Sequence, residues 1–567
     1  MAALFPKFNA PIRRGDSLMK VTSHLTLFLW LIPLCLNLAA QAPSIAALEP
    51  AAVAPGRSVE VVVRGAGLGS IADVWTSFDA NVEQVGDEAP TDGKSAALRF
   101  TLPTDAQVGV GAIRIATRGG VTRPYLLMID DLPSAPRVAA GGAFDQAREL
   151  PWPAAVDGAC DDSHSRFYRL KLSAGKRVAI ECVAQRIGSK LDPLMRLFDR
   201  DGRQVAQSED VAGIGADARF SFAAKVSGGF VLEVRDSLYE KSEAHRYRLR
   251  IGGFPFATLP FPLGSEPGAS VTTTVLGTEL DGVESVKLKV SDRSLRQRVG
   301  VPSSKGSGSG FVRMVADALK DGVEAEPNNT PEQATKIELP LAINGRFEKN
   351  ADRDFYEFEA KKNEQWAFVG QTRSLGSPSA LFVQLYDAKG KLLKEADVTK
   401  SNEAGITNRF SADGKYRLLI EELTRTGGPA HGYRMEIQPW RPGFDLSVSV
   451  DKVVAKAGAS FELKVAARRD KGFDAPITLS IEGAWAGTKL AANVIEKKKS
   501  ETKLKVTLPS GIEPGQWRHI RIVGKAESGG AIEATAGTES ALKKLFPETP
   551  FPPAELIGLI AVGIAAD

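Results

Sequence analysis

Six oxygen-bearing side chains in the middle of the chain have the residue types and the spacing of a metal site. They are Glu324, Glu326, Asn328, Asn329, Asp352 and Asp354. Side chains two residues apart point to the same side of an extended segment, so each Glu-x-Glu or Asp-x-Asp pair presents two carboxylates together. Calcium takes roughly six to eight oxygen ligands. The sequence therefore predicts a calcium site, and the alternative is a solvated linker at 324–330 followed by a turn that Asp352 caps.

The residue types needed for catalysis do not occur in a recognisable pattern. The five histidines are His24, His164, His245, His431 and His519. Each stands alone in the sequence, so they offer no ligand set for hydrolytic zinc. The sequence contains neither a Gly-x-Ser-x-Gly nucleophile elbow nor a phosphate-binding loop that ends in Gly-Lys-Ser or Gly-Lys-Thr. We therefore predict that the chain is not an enzyme, and we expect no cofactor other than calcium.

Two cysteines, Cys160 and Cys182, remain beyond the N-terminal region. Each continues a strand-like alternation of residues, so both are expected to face the interior of a sheet. A disulfide between adjacent strands is one interpretation, because an even number of cysteines in an oxidising compartment favours pairing. Two buried free thiols are the alternative, and the sequence leaves both open.

The N-terminal region has the organisation of a secretory signal peptide. Four basic residues precede an apolar run from Leu25 to Leu38, and small residues follow the run at positions 39–42. This pattern predicts that residues 1–42 are a signal peptide and that the mature protein is periplasmic, on the cell surface or secreted. The apolar C-terminal stretch from Leu556 to Ala566 is shorter than the roughly twenty residues of a transmembrane helix, so we predict no transmembrane anchor.

Length and charge indicate several soluble domains without a nucleic-acid partner. A chain of 567 residues is longer than one hydrophobic core usually serves. The formal net charge is +4, and residues 1–42 carry four basic and one acidic side chain, so the mature chain has a charge of about +1. The 54 glycines and 33 prolines favour many short strands joined by turns.

Two internal repeats organise the chain. A Pro-Gly-x-Ser-Val motif that begins at Pro55 recurs at Pro267, with a matching Gly-x-x-Leu step further on. A second motif begins with Phe167-Tyr168 and recurs 188 residues later as Phe355-Tyr356. The order of units is therefore A-B-A-B, followed by a fifth segment.

Within each B unit, alternating residues predict half-buried β-strands such as 177–183 and 194–198, joined by Asp-x-x-Gly turns. The only helical signal in the mature chain is a short turn at 311–319. The predicted fold class is all-β, as tandem β-sandwich domains. Because the joins between units are rich in turn residues, we expect the units to unfold semi-independently.

The second B unit resembles the bacterial pre-peptidase C-terminal domain. It opens with Glu-Ala-Glu-Pro-Asn-Asn-Thr at 324–330, continues with Asp352-Arg353-Asp354-Phe355-Tyr356, and closes with Asp-Gly-Lys-Tyr at 413–416. The resemblance implies a β-sandwich and agrees with calcium at the acidic opening segment and the Asp-x-Asp loop. The first B unit lacks the opening motif, and His164 and Arg166 replace the two aspartates. We therefore predict that only the second B unit binds calcium.

Unit A, with its Pro-Gly turn and Gly-x-x-Leu step, resembles the immunoglobulin-like transcription-factor (IPT/TIG) domain, and the fifth segment looks like another immunoglobulin-like sandwich. The expected division of the chain is a signal peptide at 1–42, immunoglobulin-like domains at 43–132, 253–322 and 441–540, pre-peptidase C-terminal-like domains at 136–252 and 323–440, and a C-terminal tail at 541–567.

These features favour a non-enzymatic exported protein whose sandwiches act as spacers and as adhesion or ligand-binding modules outside the cytoplasm. Two alternatives stay open. One is the accessory, non-catalytic part of a secreted peptidase or hydrolase system, because domains of the resembled families accompany catalytic units. The other is a glycan-binding module. The expected partner is an extracellular protein or polysaccharide, which no sequence feature identifies.

Overall fold

Almost every element of the described chain is a β-strand, because apolar and polar side chains alternate along these segments. The computed structural model describes residues 42–86, 93–136, 141–211, 213–280, 282–290, 292, 295–301, 308–396, 403–549 and 552–566. The predicted signal peptide therefore lies outside the described residues, apart from Ala42. The described strands form ten sheets, which pack face to face in five pairs. The all-β sandwich fold is thus confirmed.

The first sandwich contains nine strands. They are β1 (Ser44–Glu49), β2 (Ala52–Val53), β3 (Ser58–Ala66), β4 (Ile71–Thr76), β5 (Asn81–Gln84), β6 (Ser95–Thr101), β7 (Gly109–Thr117), β8 (Gly120–Val121) and β9 (Tyr125–Ile129). One sheet has the order β1-β3-β6-β5, and the other has the order β2-β9-β7-β4 with β8 paired to β7. Their facing apolar side chains, such as Val61, Leu98 and Ile115, form the core between the sheets.

The second sandwich also contains nine strands. They are β10 (Arg148–Glu149), β11 (Ala154–Ala159), β12 (Ser165–Leu172), β13 (Arg177–Val183), β14 (Pro193–Phe198), β15 (Gln204–Ser208), β16 (Ala218–Ala223), β17 (Gly228–Asp236) and β18 (Arg246–Gly252). Short 3₁₀ turns lie at Phe144–Gln146 and Gln185–Ile187. The sheets have the orders β10-β12-β17-β14-β15 and β11-β18-β13-β16. The strands expected at 177–183 and 194–198 are confirmed as β13 and β14.

The third sandwich is a shorter version of the first within the described residues. Its strands are β19 (Phe256–Phe261), β20 (Gly264–Ser265), β21 (Ser270–Glu279), β22 (Ser285–Lys289), β23 (Leu295–Val301) and β24 (Ser309–Ala316). They form three-stranded sheets of order β19-β21-β22 and β20-β24-β23. The prediction of a helical turn at 311–319 was wrong. Strand β24 occupies most of that segment because its residues pair with β23 and bury Val312 and Met314 in the core.

The fourth sandwich repeats the strand order of the second. Its strands are β25 (Asp321–Val323), β26 (Thr335–Lys336), β27 (Leu341–Arg346), β28 (Arg353–Ala360), β29 (Gln365–Gln371), β30 (Leu381–Asp387), β31 (Leu392–Glu395), β32 (Gly405–Arg409), β33 (Gly414–Glu422) and β34 (Gly432–Pro439), with a 3₁₀ turn at Arg373–Leu375. The sheets have the orders β25-β27-β34-β29-β32 and β26-β28-β33-β30-β31. Only β25 has no counterpart in the second sandwich.

The fifth sandwich includes the C-terminus. Its strands are β35 (Phe444–Val448), β36 (Lys452–Ala455), β37 (Ser460–Arg469), β38 (Ile477–Glu482), β39 (Lys489–Ala491), β40 (Val494–Ile495), β41 (Glu501–Thr507), β42 (Trp517–Glu527), β43 (Ala531–Thr535) and β44 (Ile560–Ile564), with helix α1 (Glu539–Leu545) and a 3₁₀ turn at Ala554–Leu556. The sheets have the orders β35-β37-β41-β39 and β36-β44-β42-β38-β40, and β43 pairs with β42. The predicted C-terminal tail at 541–567 contributes β44 to the interior of the second sheet, where its apolar residues are buried.

Buried apolar clusters join the sandwiches to one another. Leu132, Ala179 and Phe254 share one cluster between the first, second and third sandwiches. Leu259 and Leu375 share another between the third and fourth. Unfolding one sandwich would expose apolar surface of its neighbours, so these clusters couple the sandwiches. Semi-independent unfolding stays a prediction. The whole segment from residue 40 onward is one compact unit.

Buried arginines reinforce the junction of the first three sandwiches. Arg248 and Arg250 are completely buried and both donate to Asp130, which follows β9. Arg250 also bonds Glu181 of β13 and the carbonyl oxygen of Gly308, which precedes β24. These charges are paired and hydrogen-bonded, which is the condition under which burial of an arginine is tolerated.

The fifth sandwich packs against the first, so the two ends of the described chain meet. Arg114 of β7 is buried and lies 3.4 Å from a carboxylate oxygen of Asp451, and it donates to the Asp451 carbonyl at 3.2 Å. The indole N–H of Trp517 donates to Asp73 of β4 at 2.7 Å. Apolar residues of α1 add to this contact by joining a cluster with β7 and β9.

Candidate metal centre

The acidic opening segment of the fourth sandwich is held against the start of β28. The N–H of Glu324 donates to the carbonyl oxygen of Asn344 at 3.0 Å. The carbonyl oxygen of Asn328 accepts the N–H of Phe355 at 3.0 Å. These two backbone bonds bring the opening segment beside the Asp-x-Asp loop, about 25 residues further along the chain. The folding of the sandwich therefore brings together the two halves of the predicted site.

Three carboxylates meet in this place. Glu324, Glu326 and Asp354 each contribute one carboxylate oxygen, and these oxygens lie within 4.8 Å of one another. Asp352 is also buried and lies near enough to raise the pKa of both Glu324 and Asp354. Several negative charges at this separation repel one another strongly in a partly buried site. The cluster is stable with its carboxylates ionised only if a cation balances them.

Glu324, Asp352 and Asp354 each have one carboxylate oxygen fixed by a hydrogen bond. Glu324 Oε2 accepts the N–H of Arg346 at 2.5 Å, and Asp352 Oδ2 accepts the N–H of Glu348 at 2.7 Å. Asp354 Oδ2 accepts the hydroxyl of Tyr433 at 2.6 Å. These bonds orient the carboxylates.

The other oxygen of each of these carboxylates, and the side-chain oxygen of Asn328, is buried and has no donor among the described residues while the carboxylates are ionised. A proton on Asp354 or Glu324 would let these two carboxyls share a hydrogen bond. Buried acceptors without a donor are uncommon, and an unrecorded ion is one of the explanations for them. Four such oxygens from residues of one predicted ligand set fit a cation that prefers oxygen ligands. The chemistry of these residues therefore fits a calcium ion.

The two remaining predicted ligands are more exposed. Glu326 Oε2 accepts the N–H of Asn328 and the side-chain amide of Asn329, both at 3.0 Å. The side-chain oxygen of Asn329 faces the N–H of Arg353 at 3.4 Å. Asn329 thus orients Glu326 within the loop. Its role as a direct ligand stays a prediction.

The pKa values of the cluster reflect burial and mutual repulsion. Burial, together with the neighbouring charges of Glu326 and Asp352, raises the pKa of Glu324 to about 7. Burial also raises the pKa of Asp354 well above its usual range, with Glu324 as the next cause. Without a cation, the cluster therefore retains protons near neutral pH.

A pair of buried tyrosines links the cluster to the core. The hydroxyls of Tyr356 and Tyr433 lie 2.7 Å apart, and Tyr433 donates to Asp354. Gly345 makes room for the Tyr433 ring, since a Cβ at this position would lie 2.2 Å from the ring atom Cζ. Sequence reasoning missed Tyr433 as part of the site, although the recurrence of Tyr-Arg in both B units is visible in the sequence.

The second sandwich has a fixed cation in the equivalent place. Arg166 is the second residue of β12, as Asp354 is of β28. Its guanidinium donates to the carbonyl oxygen of Ala159 at 2.7 Å and forms ion pairs with Asp161 and Asp162. The tyrosine pair is retained nearby as Tyr168 and Tyr247, 2.6 Å apart. This sandwich therefore holds its own positive charge where the fourth sandwich presents carboxylates.

The cysteines are buried and unbonded. Strand β18 lies between β11 and β13, so Cys160 and Cys182 do not belong to adjacent strands as one interpretation required. Burial raises the pKa of the Cys160 thiol to about 12 and that of Cys182 well above its usual range. Both thiols therefore stay protonated and unreactive in the folded protein.

Ser242 and His245 form a serine–histidine contact of the kind that also occurs in catalytic sites. Ser242 Oγ lies 2.7 Å from His245 Nδ1, and Glu240 lies 3.5 Å from the other ring nitrogen. The same hydroxyl accepts the N–H of Ala244 at 3.2 Å, as in a serine turn. The contact joins residues three apart in one turn and is explained by local structure. The absence of enzymatic activity stays a prediction.

No helix among the described residues has the length and apolar character that crossing a membrane requires.

The fold and the carboxylate cluster define a multidomain, all-β sandwich protein with a candidate cation site in its fourth sandwich. No protein-family model matches the chain, and no curated protein matches it.

Similar solved structures include the pre-peptidase C-terminal domain of a collagenase from Bacillus anthracis, which is 14% identical, with 21% of this chain and 97% of that chain covered and a TM-score of 0.16. Fibronectin(III)-like modules of CbhA from Clostridium thermocellum are 11% identical, with 36% and 87% covered and a TM-score of 0.14. The surface layer protein SbsC, domains 1–6, is 8% identical, with 88% and 54% covered and a TM-score of 0.13. Likenesses this weak establish neither the family nor the function of the chain.

Proposed function

We propose that this chain is an exported, non-catalytic scaffold of joined β-sandwiches whose fourth sandwich binds a calcium ion. The observation that carries the proposal is the set of buried oxygens without donors on Glu324, Asn328, Asp352 and Asp354. Calcium bound there would supply the positive charge that the cluster lacks and hold the opening segment against β28. The residues that would hold it are these four together with Glu326.

The comparison between the two B sandwiches supports calcium rather than a merely solvated acidic loop. In the second sandwich, the guanidinium of Arg166 lies at the equivalent position and is balanced by Asp161 and Asp162. A cationic side chain in one copy and a carboxylate cluster in the other is the pattern expected when both places need a positive charge. The resemblance to the pre-peptidase C-terminal family, stated above, agrees with this assignment.

The scaffold role is supported by the joined interfaces. The buried junction around Arg250 and the contact between the first and fifth sandwiches restrict the relative motion of the sandwiches. A rigid arrangement suits a protein that presents binding surfaces outside the cytoplasm, as the predicted signal peptide implies.

The test is isothermal titration of the mature chain, residues 43–567, with calcium, together with thermal unfolding in calcium and in a chelator. We expect binding heat and a calcium-dependent rise in melting temperature, since a ligand at a hundredfold excess over Kd stabilises the native state by about 2.7 kcal/mol. Asp354→Asn is expected to abolish both effects. It should fold without calcium, because removing one charge relieves repulsion within the cluster.

The matched control is Glu359→Gln, which removes an exposed carboxylate from the same strand, β28. This variant is expected to bind calcium as the wild type does. Absence of binding heat in the wild type, or calcium binding that Asp354→Asn leaves unchanged, would refute the assignment.

A further inference from the structure

The outer surface of one sheet of the fifth sandwich, with an adjoining loop, carries more basic than acidic side chains. We call it the basic face, and it consists of the outward side chains of β37, β39 and β41 and the loop between β40 and β41. Its cations are Lys464, Arg468, Lys489, Lys497, Lys498, Lys499, Lys503 and Lys505. All eight are exposed. The mature chain as a whole is almost neutral, so this concentration of charge is a local feature.

Most lysines of the basic face have no acidic partner. Ion pairs involve Lys464 with Glu501, Arg468 with Asp445, and Lys498 with Asp474. The other five lysines of the basic face form no ion pair with any described residue. Asp470 also lies 3.9 Å from Arg468. With it and the exposed Glu462 and Glu496 counted, the local acidic residues leave a small excess of positive charge.

The strand register places like charges directly opposite one another. Lys464 on β37 is the cross-strand partner of Lys503 on β41, and both side chains point outward. Directly opposed like charges destabilise a sheet. Lys505 follows on the same side, roughly 7 Å along the strand, and neighbouring strands are about 4.8 Å apart. Its own cross-strand partner on β37 is Glu462, so Lys464 and Lys503 are the one directly opposed like-charged pair between these two strands. The cations therefore form a flat array that an anionic polymer could bridge.

We propose that the basic face binds a linear anionic polysaccharide outside the cytoplasm. The outward residues of β37 and β41 are serine, threonine, alanine, glutamate, lysine and arginine. These side chains offer neither aromatic rings on which nucleic-acid bases stack nor large apolar groups that enter a bilayer. Lysine ammonium groups bind carboxylate or sulfate as point charges. A flexible anionic glycan therefore fits this surface better than a single-stranded nucleic acid or a lipid surface, and duplex DNA is an outcome that the experiment separates.

The experiment measures binding of the mature chain to dextran sulfate, with uncharged dextran as the matched probe. We expect binding to dextran sulfate alone, with an affinity that falls as salt rises. The double variant Lys503→Gln/Lys505→Gln should bind about thirtyfold more weakly, since each lysine near an anionic surface contributes a factor of about five. Both side chains are exposed, so the variant should keep the wild-type melting temperature.

The control variant is Lys415→Gln, an exposed lysine of the fourth sandwich that pairs with Glu357. It is expected to bind dextran sulfate as the wild type does. If Lys415→Gln weakened binding to dextran sulfate as much as the double variant does, the binding site would lie elsewhere and the proposal would be overturned. So would absence of binding to dextran sulfate, or tighter binding to duplex DNA or to vesicles of anionic phospholipid at the same ionic strength.

Discussion

The contact between the first and fifth sandwiches depends on a buried ion pair, and Asp451→Ala should break it. This substitution removes the carboxylate that lies 3.4 Å from Arg114 Nη1. The arginine side chain is 1% exposed, so water cannot replace the lost partner without opening the interface. Burial lowers the Arg114 pKa to about 10, but the side chain is still charged at pH 7. The variant therefore leaves an uncompensated charge in the interior.

Removing one partner of a buried ion pair typically costs about 3–5 kcal/mol. Two hydrogen bonds moderate the loss, because Arg114 also donates to the carbonyl oxygens of Thr122 and Asp451. We therefore expect the free energy of unfolding to fall by about 3 kcal/mol, near the lower end of this range. Replacing both residues, as Arg114→Met with Asp451→Leu, should restore most of this stability because no charge remains buried.

The assay is urea unfolding followed by tryptophan fluorescence, since Trp75 and Trp517 both lie at this interface and their rings pack on His519. The matched control is Asp445→Ala, which breaks the exposed ion pair with Arg468 in the same sandwich. Exposed pairs contribute about 0–1 kcal/mol, so the control should unfold almost as the wild type does.

The shape of the urea unfolding curve of Asp451→Ala should also differ from that of the wild type. If the interface couples the two terminal sandwiches, Asp451→Ala should separate an early transition of the fifth sandwich from the main one. If Asp451→Ala lowered the free energy of unfolding no more than Asp445→Ala does, this account would be refuted. An early separate transition already present in the wild type would refute it as well.

Two further predictions concern buried titratable groups. The pKa of His519 is lowered to about 3 by burial and by Arg114, so the folded state excludes a proton that the unfolded state takes up below about pH 6.5. Stability should fall between about pH 6.5 and pH 3, by about 2 kcal/mol at pH 5, and denaturation of His519→Gln at several pH values should lack this component. Cys160 and Cys182 should react with a thiol reagent only after unfolding; rapid labelling of the native protein at pH 7 would contradict their burial.

Local features of the sequence predicted the elements of this protein and much of its candidate site. The alternation of apolar and polar residues with a period of two predicted β13 and β14. This pattern depends only on neighbouring residues, because successive side chains of a strand point to opposite faces. The repeat predicted that the second and fourth sandwiches share a strand order. The i, i+2 spacing of the acidic residues predicted that Glu324 and Asp354 belong to one metal site. Spacing alone does not show which way the Asn329 amide turns, so its role as a ligand stays a prediction.

Contacts between distant segments decided the rest, because no local pattern encodes them. Alternation predicted one buried face of β13, yet Ala179 and Glu181 on the other face are also buried by neighbouring sandwiches. The bond from Tyr433 to Asp354 joins two strands that pair only in the finished sandwich. The sequence by itself determined the strands, the repeat and the acidic cluster through periodicity and residue type. Only the tertiary structure decided that the sandwiches join and that the first contacts the fifth, because shape and charge complementarity between folded surfaces arise after the strands have formed.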